Sequence, residues 1–128
     1  MPGTPPVKRR MYPTKQIAVA EMRVKLEQTK ALWFQAIREA RANPTKDQVL
    51  RAWAAQYSTM ENANAIATLA IRTCGGQAML KSLALERIYR DSRCGALMLP
   101  WTAELCIDRL GKSTLYEDGE SDEAEKTP

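Results

Sequence analysis

From about Thr14 onward the chain sets apolar residues at steps of three and four: Val19, Met22, Leu26, Trp33, Ala36 or Ile37, and Ala40. That spacing is one face of an α-helix and predicts a first helix of about seven turns. Ile17, Val24, Ala31 and Phe34 form a second strip, so this helix is expected to be covered on two sides. Asn43-Pro44-Thr45 interrupts the pattern, and Thr45 followed by Asp47 reads as a fresh helix start. A second helix then runs to about Thr73, with Val49, Ala52 or Trp53, Tyr57, Met60, Ala63, Ile66 or Ala67, and Ala70 inward. Its many alanines allow close helix approach. Two helices of about thirty residues on a tight turn predict an antiparallel hairpin.

Gly75 and Gly76 should end the second helix as a left-handed cap. A third helix is predicted over Ser82 to Arg93, with Leu85, Ile88 and Tyr89 on its inner side. The fourth should run from Trp101 to Leu110, turning Leu105, Cys106 and Leu110 inward, with Gly111 as its stop. Between them, Cys94 to Pro100 reads as an apolar irregular loop, either buried or part of a site. Met1 to Pro13 holds four prolines and the basic run Lys8, Arg9, Arg10, which predicts an extended lead-in. The pattern thus gives an all-α antiparallel helical bundle over residues 14–111, two long helices with two shorter ones across them. A disordered acidic tail over 112–128 follows.

Composition narrows the function. With 128 residues the chain carries one domain with a modest core. No apolar run approaches the length of a membrane helix, and no secretory signal pattern is expected at the amino terminus. Three cysteines, Cys74, Cys94 and Cys106, lack metal-ligand spacing and read as buried reduced thiols, which points to the cytoplasm. The formal net charge is +4, but residues Glu117 to Pro128 hold six acids and one Lys, a balance of −5, so residues 1–116 carry +9. Those basic residues are spread along every helix without interleaved aromatics, which argues against nucleic acid and for a phosphate-bearing cofactor or an acidic partner. The absence of histidine removes the commonest general base and zinc ligand, so neither a metal centre nor stand-alone hydrolysis is expected. Trp33, Trp53 and Trp101 read as core or interface anchors.

One stretch carries more than packing. Gly75-Gly76 is followed by Leu85-Glu86-Arg87 and then Arg90-Asp91, in an order that resembles the carboxy-terminal signature of the acyl-CoA dehydrogenase family. The resemblance covers about residues 12–111 and implies a helical bundle whose Gly-Gly loop approaches the diphosphate of FAD held by a neighbouring subunit. It implies that Gly75, Gly76 and the Gln77 backbone touch cofactor phosphate. Arg72 stands where the family usually has a cofactor-binding Gln, and an Arg there would reach a phosphate more strongly. A one-residue shift places Thr102 on the family's flavin-contacting Thr. Glu86 and Arg90, four apart, are expected to pair on one helix face.

Other positions depart from the family. Ala78 replaces its third glycine, and the place of its catalytic Glu falls on Leu99 or, with the shift, on Pro100, neither of which accepts a proton. Glu21, Glu27 and Glu39 are the only acids on the first helix, and Glu21 matches a structural position of the family. What the resemblance implies is therefore one subunit or fragment of an FAD-dependent oxidoreductase, giving the oligomer core and part of the FAD diphosphate site and inactive alone. Another chain would carry the remaining domains, in a homo- or hetero-oligomer. Two alternatives stay open: a non-enzymatic interaction module that has lost FAD, and a part of a flavin monooxygenase relative.

Overall fold

A computed structural model describes residues 6–120 and Asp122. A 3-10 turn, Arg9–Met11, leads into α1 (Pro13–Glu39) and α2 (Lys46–Cys74); a second 3-10 turn, Gly75–Met79, precedes α3 (Leu85–Leu97) and α4 (Ala103–Leu115). All regular structure among the described residues is helical, as the sequence pattern predicts. Pro13 occupies the first turn of α1, where its missing N–H costs no helix bond and its fixed φ suits the start. At α2 a reciprocal cap forms: Gln48 N–H donates to Thr45 Oγ1 at 3.3 Å, and Thr45 N–H donates to Gln48 Oε1 at 3.0 Å.

Three ties fix α1 and α2 as an antiparallel hairpin. The Lys15 ammonium donates to the Thr73 carbonyl, Asn62 Nδ2 donates to Thr29 Oγ1 at 3.0 Å, and Arg51 Nε reaches both Glu39 oxygens at 3.0 Å. The other side of α2 receives α3 and α4. There Met60, Ala96, Ala103 and Cys106 form one buried cluster with Tyr57 packed against it. Arg93 also pairs with Glu61 at 3.7 Å, joining α3 to α2. α2 is thus a spine shared by two layers, with the short pair seated on it.

The face of α1 turned toward α2 is not the predicted one. Lys15, Ala18, Met22, Lys25, Thr29, Leu32, Gln35, Ala36 and Glu39 are its half-buried positions, while Val19, Leu26, Trp33 and Ile37 are exposed. The three polar ties lie on this inward face together with Ala18, Met22, Leu32 and Ala36, and the large apolar side chains fall on its flanks. Of the predicted stripe only Met22 and Ala36 turn inward. The second strip, Ile17, Val24 and Phe34, is exposed as well, and no residue of α1 is buried. On α2, Met60 and Ala67 are buried as predicted, Ala52 and Ala63 are exposed, and Ala55 is buried at 1% exposure.

Two predicted boundaries also shift. α3 begins at Leu85 and continues through Cys94 to Leu97, so half of the expected irregular loop is helical. That segment docks on α2 through the buried Ala96 of the Met60 cluster, and a Cβ on Gly95 would stand at an ordinary contact distance of 3.9 Å from Met60 Cγ. Ala96, at 1% exposure, takes the inner side that Ile88 and Tyr89 were expected to fill, and those two are exposed. α4 does not stop at Gly111 but runs to Leu115, so residues 112–115, assigned to the tail, are helical. A helical glycine costs only about 1 kcal/mol, and the Lys112–Asp108 pair at 3.1 Å spans the site. Beyond it Lys46 reaches the Tyr116 carbonyl at 3.4 Å and Asp118 at 3.6 Å. The rest of the predicted tail, 121 and 123–128, and residues 1–5 of the lead-in lie outside the described residues.

Candidate functional site

The carboxyl end of α2 is where the predicted cofactor residues meet. Gly75 N–H donates to the Ile71 carbonyl as the helix cap, and Gly75 adopts φ 76° and ψ −160°. The positive φ favours glycine, although the ψ differs from the left-handed helical cap that the sequence suggested. The chain then tightens into the 3-10 turn. Ala78 is fully buried, and Gly75, Gly76 and Gln77 are exposed on the outer side. Ala78 thus turns its methyl into the protein and anchors the turn. No atom lies within 4 Å of where a Cβ would stand on Gly75 or Gly76, so the outer surface of the turn is open.

Arg72 sits exposed in the last turn of α2, with no ion pair among the described residues. It lines a groove of about 450 Å³ between the ends of α1 and α2, together with Thr14, Lys15, Ile17, Ala18, Glu21, Leu69 and Thr73. Two basic side chains, Lys15 and Arg72, therefore share this groove with the acid Glu21, and the glycine turn follows α2 directly along the chain. Sequence reasoning missed Lys15, which is 58 residues from its partner Thr73 and carries no local signal of the contact.

Thr102 is placed elsewhere. It is the N-cap of α4, and its Oγ1 accepts from Leu105 N–H at 3.2 Å, which leaves its hydroxyl proton free to donate. Its neighbour Trp101 packs against Trp53 with the rings tilted by 36° and their centres 6.2 Å apart. Arg72 lies 19 residues beyond Trp53 on α2, about 28 Å along the axis. Arg72, Gly75, Gly76 and Gln77 form one cluster, and Thr102 does not join it within the chain.

The aromatic junction was not foreseen. The Arg109 guanidinium stands 5.7 Å from the Trp53 ring centre and 5.1 Å from that of Trp101, closing α4 over α2 by cation–π contact. The predicted anchor role thus holds for Trp53 and Trp101, while Trp33 is exposed on α1. Glu86 and Arg90 form the predicted helix pair at 2.9 Å.

Leu99 is 79% exposed, as are its apolar neighbours Leu97 and Met98 to a lesser degree, so this loop is not the buried one. On α1, Glu27 is paired with Arg23 at 2.8 Å. Glu39 is held below the ordinary carboxylate range by its bonds from Arg51 and Gln35, the opposite of what a general base needs. The thiols divide differently from expectation: Cys74 and Cys94 are exposed, and only Cys106 is buried. Burial pushes the Cys106 thiol up, partly offset by the Arg109 charge, so it stays protonated and inert. Among the described residues no group of three or more His, Cys, Asp or Glu could hold a metal ion, and no helix is long and apolar enough to cross a membrane.

Residues 9–99 match the model of the family described as acyl-CoA dehydrogenase, C-terminal domain, a span that includes α1 to α3 and ends at Leu99, before α4. Among curated proteins none matches the chain. With most of its length inside that match and an all-helical fold to go with it, the chain belongs to the acyl-CoA dehydrogenase C-terminal domain family.

Proposed function

We propose that the chain is the assembly-forming helical part of a flavoprotein of this family, giving the oligomer core and one edge of an FAD diphosphate site, and not catalytic alone. The observation that carries this reading is α1. Its seven large exposed apolar side chains, Ile17, Val19, Val24, Leu26, Trp33, Phe34 and Ile37, flank a helix with no fully buried residue. Apolar strips of that length on both sides of one helix belong under another helix rather than under water.

The residues at the end of α2 fit the outer edge of a dinucleotide diphosphate. Gly75 and Gly76 leave room for close backbone approach, and Arg72 supplies a free guanidinium in reach of the turn. Hydride acceptance is the chemistry that FAD supplies when bound. This chain's residues bind and orient: Arg72 offers charge-assisted hydrogen bonds, Gln77 an amide, and Thr102 a free hydroxyl proton at a separate point. Proton removal is not among their tasks, because the family's base position falls on Leu99 or, with a one-residue shift, on Pro100, and neither accepts a proton. The remaining domains would come from another chain or from more of the same polypeptide.

Light scattering on the purified chain, alone and co-expressed with the product of a neighbouring gene bearing the missing domains, tests both parts. Self-association of the isolated chain and yellow colour only on co-expression are the outcomes this reading requires. A monomer at micromolar concentration would remove the assembly role. A colourless complex would remove FAD and leave the second reading, a helical interaction module, which the buried Ala78 and the exposed Leu99 favour.

A further inference from the structure

Resting on the diphosphate reading above, we propose that Lys15 is a positioning residue for the anion at the glycine turn, because its charge reverses the sign of the field there. The turn follows the carboxyl end of a helix, where unpaired carbonyls amount to about half a negative charge and repel phosphate. That is the wrong end of a helix for an anion. Arg72 adds one positive charge at this end of α2, and Glu21, lining the same groove about two turns further along α1 from Lys15, opposes it in formal charge. Without Lys15 the local balance is about half a unit negative; with it the balance is about half a unit positive.

The position of Lys15 suits that role. Its ammonium donates to the Thr73 carbonyl in the last turn of α2, so it sits on the carbonyls that carry the negative end of the dipole. One bond uses one of its three donors, and the other two remain for a ligand. Lys15 is only half-buried, and the groove it lines is open. The ligand chemistry selected is a compact polyanion such as a diphosphate, reached through Lys15 and Arg72 in the groove, with the open Gly75–Gly76 turn next along the chain.

Amide NMR of the full chain titrated with inorganic pyrophosphate reads the site directly, because the glycine amides resonate in their own region. In the wild type the Gly75 and Gly76 amides should shift and saturate at millimolar ligand. Lys15→Met, which keeps most of the aliphatic stem, should weaken binding about tenfold, and Lys15→Arg should restore it to within about threefold. Glu21→Gln, which leaves the Lys15–Thr73 bond in place, should tighten binding about threefold and keeps the idea open to refutation even where Lys15→Met frays the helix end. A Lys15→Met protein that titrates like the wild type, or a Glu21→Gln protein with unchanged affinity, overturns the role of the local charge while leaving the diphosphate site standing. Glycine amides that do not move in the wild type overturn the diphosphate reading itself, and the role of Lys15 with it.

Discussion

The two sides of α2 are held by different forces. Toward α3 and α4 the contact is dry: Met60, Ala96, Ala103 and Cys106 exclude water, and Trp53, Trp101 and Arg109 close one end of the junction. Toward α1 the contact is made of polar ties and of small or half-buried side chains, and only Ala55 and Ala67 of the whole hairpin join Met60 among its buried residues. An alanine buries little apolar area, so the hairpin gains little from the hydrophobic effect within one chain. A helix so attached owes its place to specific bonds, and its large side chains remain available to something else.

The difference is most sharply broken at Met60. It is 6% exposed at the centre of the dry cluster, so Met60→Ala should leave a cavity between α2, α3 and α4 and cost about 3 kcal/mol. Urea unfolding followed by circular dichroism measures it, and a loss below about 1 kcal/mol would mean that this side is no better packed than the other. Trp101→Ala comes next. It removes a 40%-exposed ring together with its contacts to Trp53 and Arg109, and about 1–2 kcal/mol should go with it. Quenching of Trp53 fluorescence by a soluble quencher should rise in the same variant as the end of the junction opens.

These unequal sides explain what the sequence made legible. Helix existence and order follow from spacing, caps and breakers that act within a few residues, such as Thr45 with Gln48 and the prolines at 13 and 44. Which way a helix faces depends on partners far along the chain. Thr29 is turned inward by Asn62, and Glu39 by Arg51, so the apolar period of α1 pointed to a face that is not the one it buries. The period itself was read correctly, but it marks a surface rather than the core. The same limit applies at the site. Arg72, Gly75, Gly76 and Gln77 are contiguous and could be found together, whereas Lys15 and Glu21 come to that groove only through the hairpin, and Thr102 is carried away from it by α4.

Trp33 tests whether the α1 surface is idle in the single chain. At 46% exposure on a helix with no buried residue, Trp33→Ser should change the unfolding of dilute, unassembled protein by less than about 0.5 kcal/mol. The mass measured at higher concentration should fall toward that of one chain. A stability loss as large as that of Met60→Ala would erase the contrast between the two sides. An unchanged mass would move the assembly surface elsewhere.

The smallest effect concerns the tie at the closed end of the hairpin. Glu39 has its folded-state pKa lowered from 4.5, first by the Arg51 bond and then by the Gln35 bond, while in the unfolded chain it titrates near the ordinary value. A lowered carboxylate binds its proton less readily when folded. Its contribution to stability is therefore complete above 4.5 and is lost as pH falls through the lower folded-state value. Thermal unfolding of wild type and Glu39→Gln should run parallel above that pH and converge below it, with a small separation because Arg51 is half in water and salt screens the pair. Curves that stay parallel into the acid would show that the pair adds nothing. The polar part of the α1–α2 contact would then rest on Thr29–Asn62 and Lys15–Thr73, beside the half-buried Ala18, Met22, Leu32 and Ala36.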